Sequence, residues 1–442
     1  MNLRPFRALR YDTARVNLTD VVAPPYDVID DRYCDRLYER SPHNVVRLIL
    51  NREANRYATS AQTLRDWLSA GLLRQDDEPS LWLYVQNFSH GGHQFERIGV
   101  IGAMRLEPFR AGRIRPHERT LSGPKEDRMR LLQACRVNLS PIFGLYADQR
   151  GLLEEARAAM AHRSPLLHLT DDFGVRHRGW PLTAKSQVGA ITSALGSETI
   201  YIADGHHRYE TALAFRDHLR AQGGLSEEDP ANFMMAYLCS MDDPGLLVLP
   251  THRILRGLDD FDPARFVTAL GRDFEVRTFP NAPGGRQQLL AALAAGRARG
   301  HFGIALRGAG LLYEISPLNE GVIDRAGPEL PPVVRRLDVT ILDRVILRGV
   351  LGLDADAAAR AGQLRYSHED GDAFGSVESG SAQVAFLLGP PDLDQVRAVC
   401  LSGETMPQKS TYFHPKLLTG LVFHPLSDDL ASITPGVGRA ST

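Results

Sequence analysis

The residues Ile202-Ala203-Asp204-Gly205-His206-His207-Arg208-Tyr209-Glu210 bring together side chains that suit phosphate chemistry. An apolar β-type run ends at Ala203, Gly205 permits a tight turn, and the pattern predicts a helix from about His206. A helix start offers backbone N–H groups and the positive end of the helix dipole, which together favour an anion. The imidazoles of His206 and His207 and the guanidinium of Arg208 add donors suited to phosphate oxygens. Asp204 stands where it could cap the helix or reach a metal ion. The plainer alternative makes Asp204 only an N-cap and the histidines turn residues. One Asp, two His and one Arg around a single Gly exceed what a cap requires.

A second polar segment runs from Arg113-Ile114-Arg115-Pro116-His117-Glu118-Arg119-Thr120 to Leu121-Ser122-Gly123-Pro124-Lys125-Glu126-Asp127-Arg128. Glu118 is a candidate general base or magnesium ligand, and His117 or Arg115 a candidate anion donor. A solvated charged loop leading into a capped helix fits the same residues. No HExxH is present, so a zincin site is excluded. Thr251-His252-Arg253 follows an apolar strand end at Leu249-Pro250 and places polar groups where ligand loops are common, though a surface loop has the same pattern. In Met406-Pro407-Gln408-Lys409-Ser410-Thr411-Tyr412-Phe413, the Lys409 ammonium could neutralise phosphate with Ser410 or Thr411 donating to it. It is not a Walker A motif, since no GxxxxGK[ST] is present. The rigid loop Ala23-Pro24-Pro25-Tyr26-Asp27 either presents Tyr26 and Asp27 to a site or is purely structural. His43, His162, His168, His218 and His424 have no sequence partners and read as ordinary surface or core residues. His117, His206, His207 and His252 lack the spacings of a structural zinc site, and the four cysteines form no CxxC pair.

These side chains must be held by a mixed α/β or α+β fold. The apolar run 44–50 reads as a buried strand, 58–70 as a helix ended by Gly71, and 80–89 with 97–109 as a hairpin turning at 90–93. Residues 125–136 read as helix, 141–147 as strand and 151–161 as helix. The stretch 198–221 reads as strand, tight turn and long helix, and 233–249 as a strand pair. Further on, helices are predicted at 284–295 and 338–351 and strands at 300–306 and 382–388.

At 442 residues the chain is long enough for two or three packed units. With 43% hydrophobic and 24% charged residues its composition is globular, which excludes global disorder. A net charge of −2 argues against nucleic acid or anionic lipid as the partner, leaving only local basic patches at 105–119 and 128–136. No run approaches the ~18–20 apolar residues of a membrane helix. The start, MNLRPFRALRYD, has no signal-like apolar run, so a reduced cytoplasmic protein is expected.

Six motifs, APPYDVI, RPHERTLSGPKEDR, SPIFGLY, ADGHHRYETAL, LPTHR and MPQKSTYF, occur in order between about residues 4 and 424. Together they resemble a bacterial and archaeal family of unknown function often numbered one thousand and fifteen. Within it, DGHHR resembles the signature of free L-serine kinases of the ParB/sulfiredoxin-like fold. That resemblance implies an N-terminal α/β region at 1–105, a ParB/sulfiredoxin-like core at 106–255 and a C-terminal α/β region at 256–442. It implies catalytic roles for Asp204, Glu118 and His206, with Asp204 and Glu118 also as magnesium ligands. Nucleotide or phosphate would be held by Gly205, His207, Arg208, His117, His252, Arg253, Lys409 and Ser410. The expected activity is phosphoryl exchange between ATP or ADP and a small hydroxyl compound, first of all L-serine or phosphoserine. A phosphoserine phosphatase and a non-catalytic nucleotide-binding module remain alternatives.

Overall fold

A computed structural model describes residues 2–118, 122–148, 151–295 and 299–427. Arg119, Thr120 and Leu121 of the second polar segment lie outside the described residues, as does 428–442 at the end of the expected C-terminal region. The fold is mixed α/β, as expected, and divides into two compact units. The first unit comprises Met1–Pro116, Thr120–Leu247 and Pro415–Thr442, and the second His117–Arg119 with Val248–His414.

The first unit is built on a nine-stranded sheet. Its strands lie in the order Ile114–Pro116, Ile200–Asp204, Ile142–Tyr146, Phe233–Ser240, His93–Arg105, Leu81–His90, Arg176–Leu182 and Leu167–Thr170, with Leu3–Arg4 added alongside His93–Arg105. Strands from the expected N-terminal region and the expected core therefore share one sheet. The hairpin 81–105 forms as predicted, because Gly91 and Gly92, both at positive φ, supply the turn that matches strand twist. Ile114–Pro116 runs parallel to Ile200–Asp204, with Pro116 opposite Ile202. On its other side Ile200–Asp204 pairs antiparallel with Ile142–Tyr146, and the register slips between Ile202 and Asp204. Such an irregularity re-aims the side chain at a strand end. The helix His206–Ala221 follows, and its Tyr209, Ala212 and Phe215 join the core made by Ile142, Ile200, Ile202 and Leu238.

Two local expectations are corrected. Residues 44–50 form no strand, because Asn44 starts a short helix, Val46–Ile49. Its Oδ1 accepts from Val46 N at 2.9 Å while its Nδ2 donates to the carbonyls of Asp20 and Val22. A continuous apolar run in a buried site has no period that separates strand from helix. The strands within 233–249 do not pair with one another: Phe233–Ser240 joins the large sheet and Leu247–Leu249 a separate two-stranded one.

The second unit carries a six-stranded sheet in the order Phe274–Pro280, Leu311–Pro317, Phe302–Leu306, Val384–Leu388, His252–Leu255 and Leu364–Ser367. Ile254, Leu289, Leu293, Ala305, Phe374 and Leu387 form its core. The helix expected at 338–351 begins as Asp338–Ile341 and widens into a π-helical segment, Leu342–Arg348.

Candidate functional site

In the first unit, Gly205 occupies the left-handed region at φ +89° and ψ 26°, between the end of the strand and the first residue of the helix. A β-carbon there would lie 3.0 Å from Ile142 Cγ2 and 3.1 Å from Arg208 Cζ, so conformation and space both demand glycine. Gly205 brings no capping side chain, and the turn folds Arg208 back toward Asp204. Arg208 Nη2 donates to Asp204 Oδ2 at 2.8 Å, and its Nη1 donates to the Pro141 carbonyl.

The other carboxylate oxygen of Asp204 accepts from Lys416 Nζ at 3.2 Å. All three side chains are mostly shielded, at 15%, 11% and 13% exposed for Asp204, Arg208 and Lys416. Burial pushes the Asp204 carboxyl up, but Lys416 and Arg208 outweigh it, with a smaller pull from His206, and hold the group well below the usual carboxylate range. Lys416 is placed by its backbone: its carbonyl accepts from Gln86 Nε2 at 3.2 Å. The preceding Pro415 carbonyl accepts from the buried Arg97, which also donates to Gln86 Oε1.

A pocket of about 460 Å³, open mouth included, adjoins Arg208. Tyr26, Arg128, Ser140, Thr211 and Met234 are among its walls. The Arg128 guanidinium lies 4.1 Å over the Tyr26 ring, so the Pro-Pro-Tyr loop does contribute to this pocket. His206 is buried and His207 half-buried at the helix start.

In the second unit, the Glu118 carboxylate sits in a nest of backbone N–H groups. Oε1 accepts from Ser410 N at 3.1 Å, Thr411 N at 3.2 Å and Thr411 Oγ1 at 3.2 Å, and Oε2 accepts from Lys409 N at 3.3 Å. Lys409, at φ +55°, is the left-handed residue that turns the successive N–H groups inward. His117 is buried with Nε2 2.7 Å from Thr411 Oγ1, its ring edge-on to Phe413. The Lys409 side chain is exposed, while Ser410 is buried and its hydroxyl donates to the Pro407 carbonyl. His252 is buried in the sheet: Nδ1 accepts from Leu388 N at 3.2 Å, which leaves Nε2 to donate to Asp370 at 2.8 Å. Arg253 is buried and donates to the carbonyls of Thr251 and Lys409.

The two carboxylates expected to hold magnesium do not fit that role as they stand. Asp204 faces a cation on each oxygen, and Glu118 accepts four hydrogen bonds. Among the described residues no group of three His, Cys, Asp or Glu side chains could hold a metal ion. No described helix is long and apolar enough to cross a membrane.

The chain matches the pattern of a family described as "Protein of unknown function (DUF1015)" over residues 3–340. It belongs to that family. No curated protein matches it. Among solved structures it is similar to a free serine kinase in complex with AMP, at 13% identity over 71% of this chain and 86% of that one, with a TM-score of 0.34. It is also similar to a C-terminally truncated SbnI from Staphylococcus aureus, at 12% identity over 75% and 92% with a TM-score of 0.35. A conserved hypothetical protein from Pyrococcus furiosus shares 15% identity over 72% and 92%, with a TM-score of 0.32.

Among the expected residues, the first unit joins Asp204, Gly205, His206, His207 and Arg208 at one strand end. The second gathers His117, Glu118, Lys409 and Ser410 around the nest, beside which Arg253 holds the Lys409 carbonyl. His252 is bound into its sheet. Sequence reasoning passed over Lys416, which lies 212 residues from Asp204 along the chain and ends the polar loop whose middle drew attention instead.

Proposed function

We propose that the first unit binds a nucleotide, ATP or ADP, and transfers a phosphoryl group between it and a small hydroxyl compound, with L-serine and phosphoserine the first pair to test. The observation that carries this reading is the strand end where Asp204 is fixed between Lys416 and Arg208 beside a pocket walled by Tyr26 and Arg128. Phosphoryl transfer depends chiefly on positioning and on cations set where charge develops. Arg208, Lys416, Arg128 and the first turn of the helix supply that field, and His206 and His207 add donors. In the forward direction the bond from the terminal phosphorus to the nucleotide oxygen breaks, a bond to the substrate hydroxyl oxygen forms, and the hydroxyl proton passes to solvent water. A carboxylate held so strongly anionic is a weak base, so Asp204 acts by orienting the hydroxyl and the two cations. Glu118 fixes the Lys409–Thr411 loop, and Glu118→Gln tests it separately. Magnesium, if required, arrives with the nucleotide phosphates rather than on these carboxylates.

A nucleotide-binding module without catalysis is the second reading, favoured by the saturation of Asp204 with two cations. Phosphorus NMR with ATP and L-serine, then with ADP and phosphoserine, each with magnesium, distinguishes them. Transfer should appear in one direction and fall about 10²-fold or more in Asp204→Asn and Arg208→Ala. Free phosphate released from phosphoserine without nucleotide would replace this reading with a phosphatase, and bound nucleotide without turnover with the binding module.

A further inference from the structure

A second cleft, of about 950 Å³ with its open mouth included, lies wholly within the second unit and is not used by the reading above. The π-helical segment Leu342–Arg348 forms one wall, and β-strand residues Arg253 and Tyr366 another. Wide helical turns of this kind are rare and recur at functional sites.

Three of the six charged side chains that line the cleft are paired. Arg348 pairs with Asp354 at 2.8 Å and Arg344 with Glu329 at 3.3 Å. Arg253 and Asp343 are among the rest. Arg253 is only 5% exposed, lies 5.2 Å from the Tyr366 ring centroid and donates to two carbonyls, yet pairs with no carboxylate among the described residues. Asp343 lines the same cleft with Oδ1 buried and without a hydrogen-bond partner. Thr340 Oγ1, on a side chain 2% exposed, is likewise buried without a partner on that wall. Arg253 and Asp343 form no ion pair with each other, although the charges of Glu118 and, after it, Asp343 act on Arg253 through space. A buried guanidinium with no carboxylate in contact and a buried carboxylate oxygen with no donor are both costly unless something supplies the missing partners.

We propose that this cleft binds a small zwitterion of the free amino acid class, its carboxylate on Arg253 and its ammonium on Asp343 and Thr340. Arg suits the carboxylate because its planar fork offers five N–H donors, of which the two carbonyls take only part. The ammonium supplies donors that Asp343 and the Thr340 hydroxyl can accept. Burial holds the Asp343 carboxyl above its usual range, and a cation beside it would reverse that. This binding is independent of phosphoryl transfer in the first unit.

The test is calorimetry of the full-length chain with a panel of glycine, L-serine, L-aspartate, L-leucine and L-lysine at millimolar concentration. Acetate and methylamine, each carrying one of the two charged groups, are titrated beside them. At least one amino acid should bind, and both half-ligands more weakly by about tenfold or more. Asp343→Asn and Thr340→Val, checked for an unchanged melting temperature, should each weaken the amino acid, the former by about tenfold or more, as for one charge-assisted hydrogen bond. No binding by any member of the panel, or binding unaffected by Asp343→Asn in the folded protein, overturns the proposal. Equal affinity for acetate alone overturns the zwitterion and leaves a simple anion site in its place.

Discussion

Replacing Lys416 with Met isolates the electrostatic core of the proposed phosphate site. The ammonium lies 3.2 Å from Asp204 Oδ1, with the two side chains 13% and 15% exposed. At an effective dielectric constant of about 20, that separation corresponds to a gross attraction of about 5 kcal/mol. Bringing the ammonium out of water removes several kcal/mol of this. A net contribution of about 1.5–3 kcal/mol remains, the range for a hydrogen bond to a charged group. Met keeps much of the apolar stem, so the loss reports the charge. Arg208 stays in place at 2.8 Å, which keeps the variant folded.

The loss should follow a defined pH course. The folded carboxyl of Asp204 lies well below the value of about 3.9 expected in the unfolded chain. Its contribution is therefore complete above about pH 5 and disappears as pH falls through the unfolded and then the folded value. The difference between wild type and Lys416→Met should be constant from pH 8 to 5. At lower pH it should shrink by up to about 1.4 kcal/mol per pH unit as pH falls from the variant's folded value toward that of the wild type, since the unfolded value is common to both. Urea unfolding followed by tryptophan fluorescence measures it in the right place, because Trp67, Trp82 and Trp180, the only three in the chain, all belong to the first unit. A difference that is absent at pH 7 would refute the pairing. Unchanged nucleotide affinity in the same variant would remove Lys416 from the phosphate field.

Other consequences are equally direct. Gly205→Ala should destabilise the first unit by about 1–3 kcal/mol, since it forces a β-carbon into a left-handed conformation against Ile142 and Arg208; an unchanged urea midpoint would contradict this. His424 is buried against Phe6 with Nδ1 3.2 Å from Asn138 Oδ1, and burial, with Arg4 adding to it, lowers its pKa to about 3. Its share of stability is present above about pH 6.5 and is lost as pH falls from there toward 3, so His424→Phe should flatten the wild-type decline between pH 6 and 4 by up to about 1.4 kcal/mol per unit. An unchanged slope in that variant would show that His424 titrates normally.

The strand, turn and helix around Asp204 were legible because three local signals agree there. An apolar run ends, a glycine follows, and a helical pattern begins. The hairpin at 81–105 was legible for the same reason, with two glycines placed between alternating strands. Residues 44–50 misled because a buried apolar run carries no period, and the deciding group was one polar side chain, Asn44, whose hydrogen bonds reach back to Asp20 and Val22. The π-helical widening at 342–348 has no sequence signature in a segment that otherwise reads as helix.

The chemistry of the carboxylates depends on partners that spacing does not reveal. Glu118 invites a role as base or metal ligand when read beside His117, yet three consecutive N–H groups from residues 409–411 enclose it. Asp204 looks like a cap or a ligand beside Gly205, yet an ammonium from residue 416 turns it into the centre of a cation pair. Both outcomes come from the same polar loop, 403–416, whose middle folds onto Glu118 and whose last residue reaches Asp204. Within it, residues 406–413 offer a lysine and two hydroxyls that the sequence marks as candidate phosphate ligands. The loop's backbone N–H groups hold Glu118, because a left-handed turn at Lys409 aligns donors that no side-chain pattern records, and its final lysine holds Asp204. A polar loop opened by proline therefore deserves to be read for the anions its main chain can hold, and the anion it holds here is the chain's own.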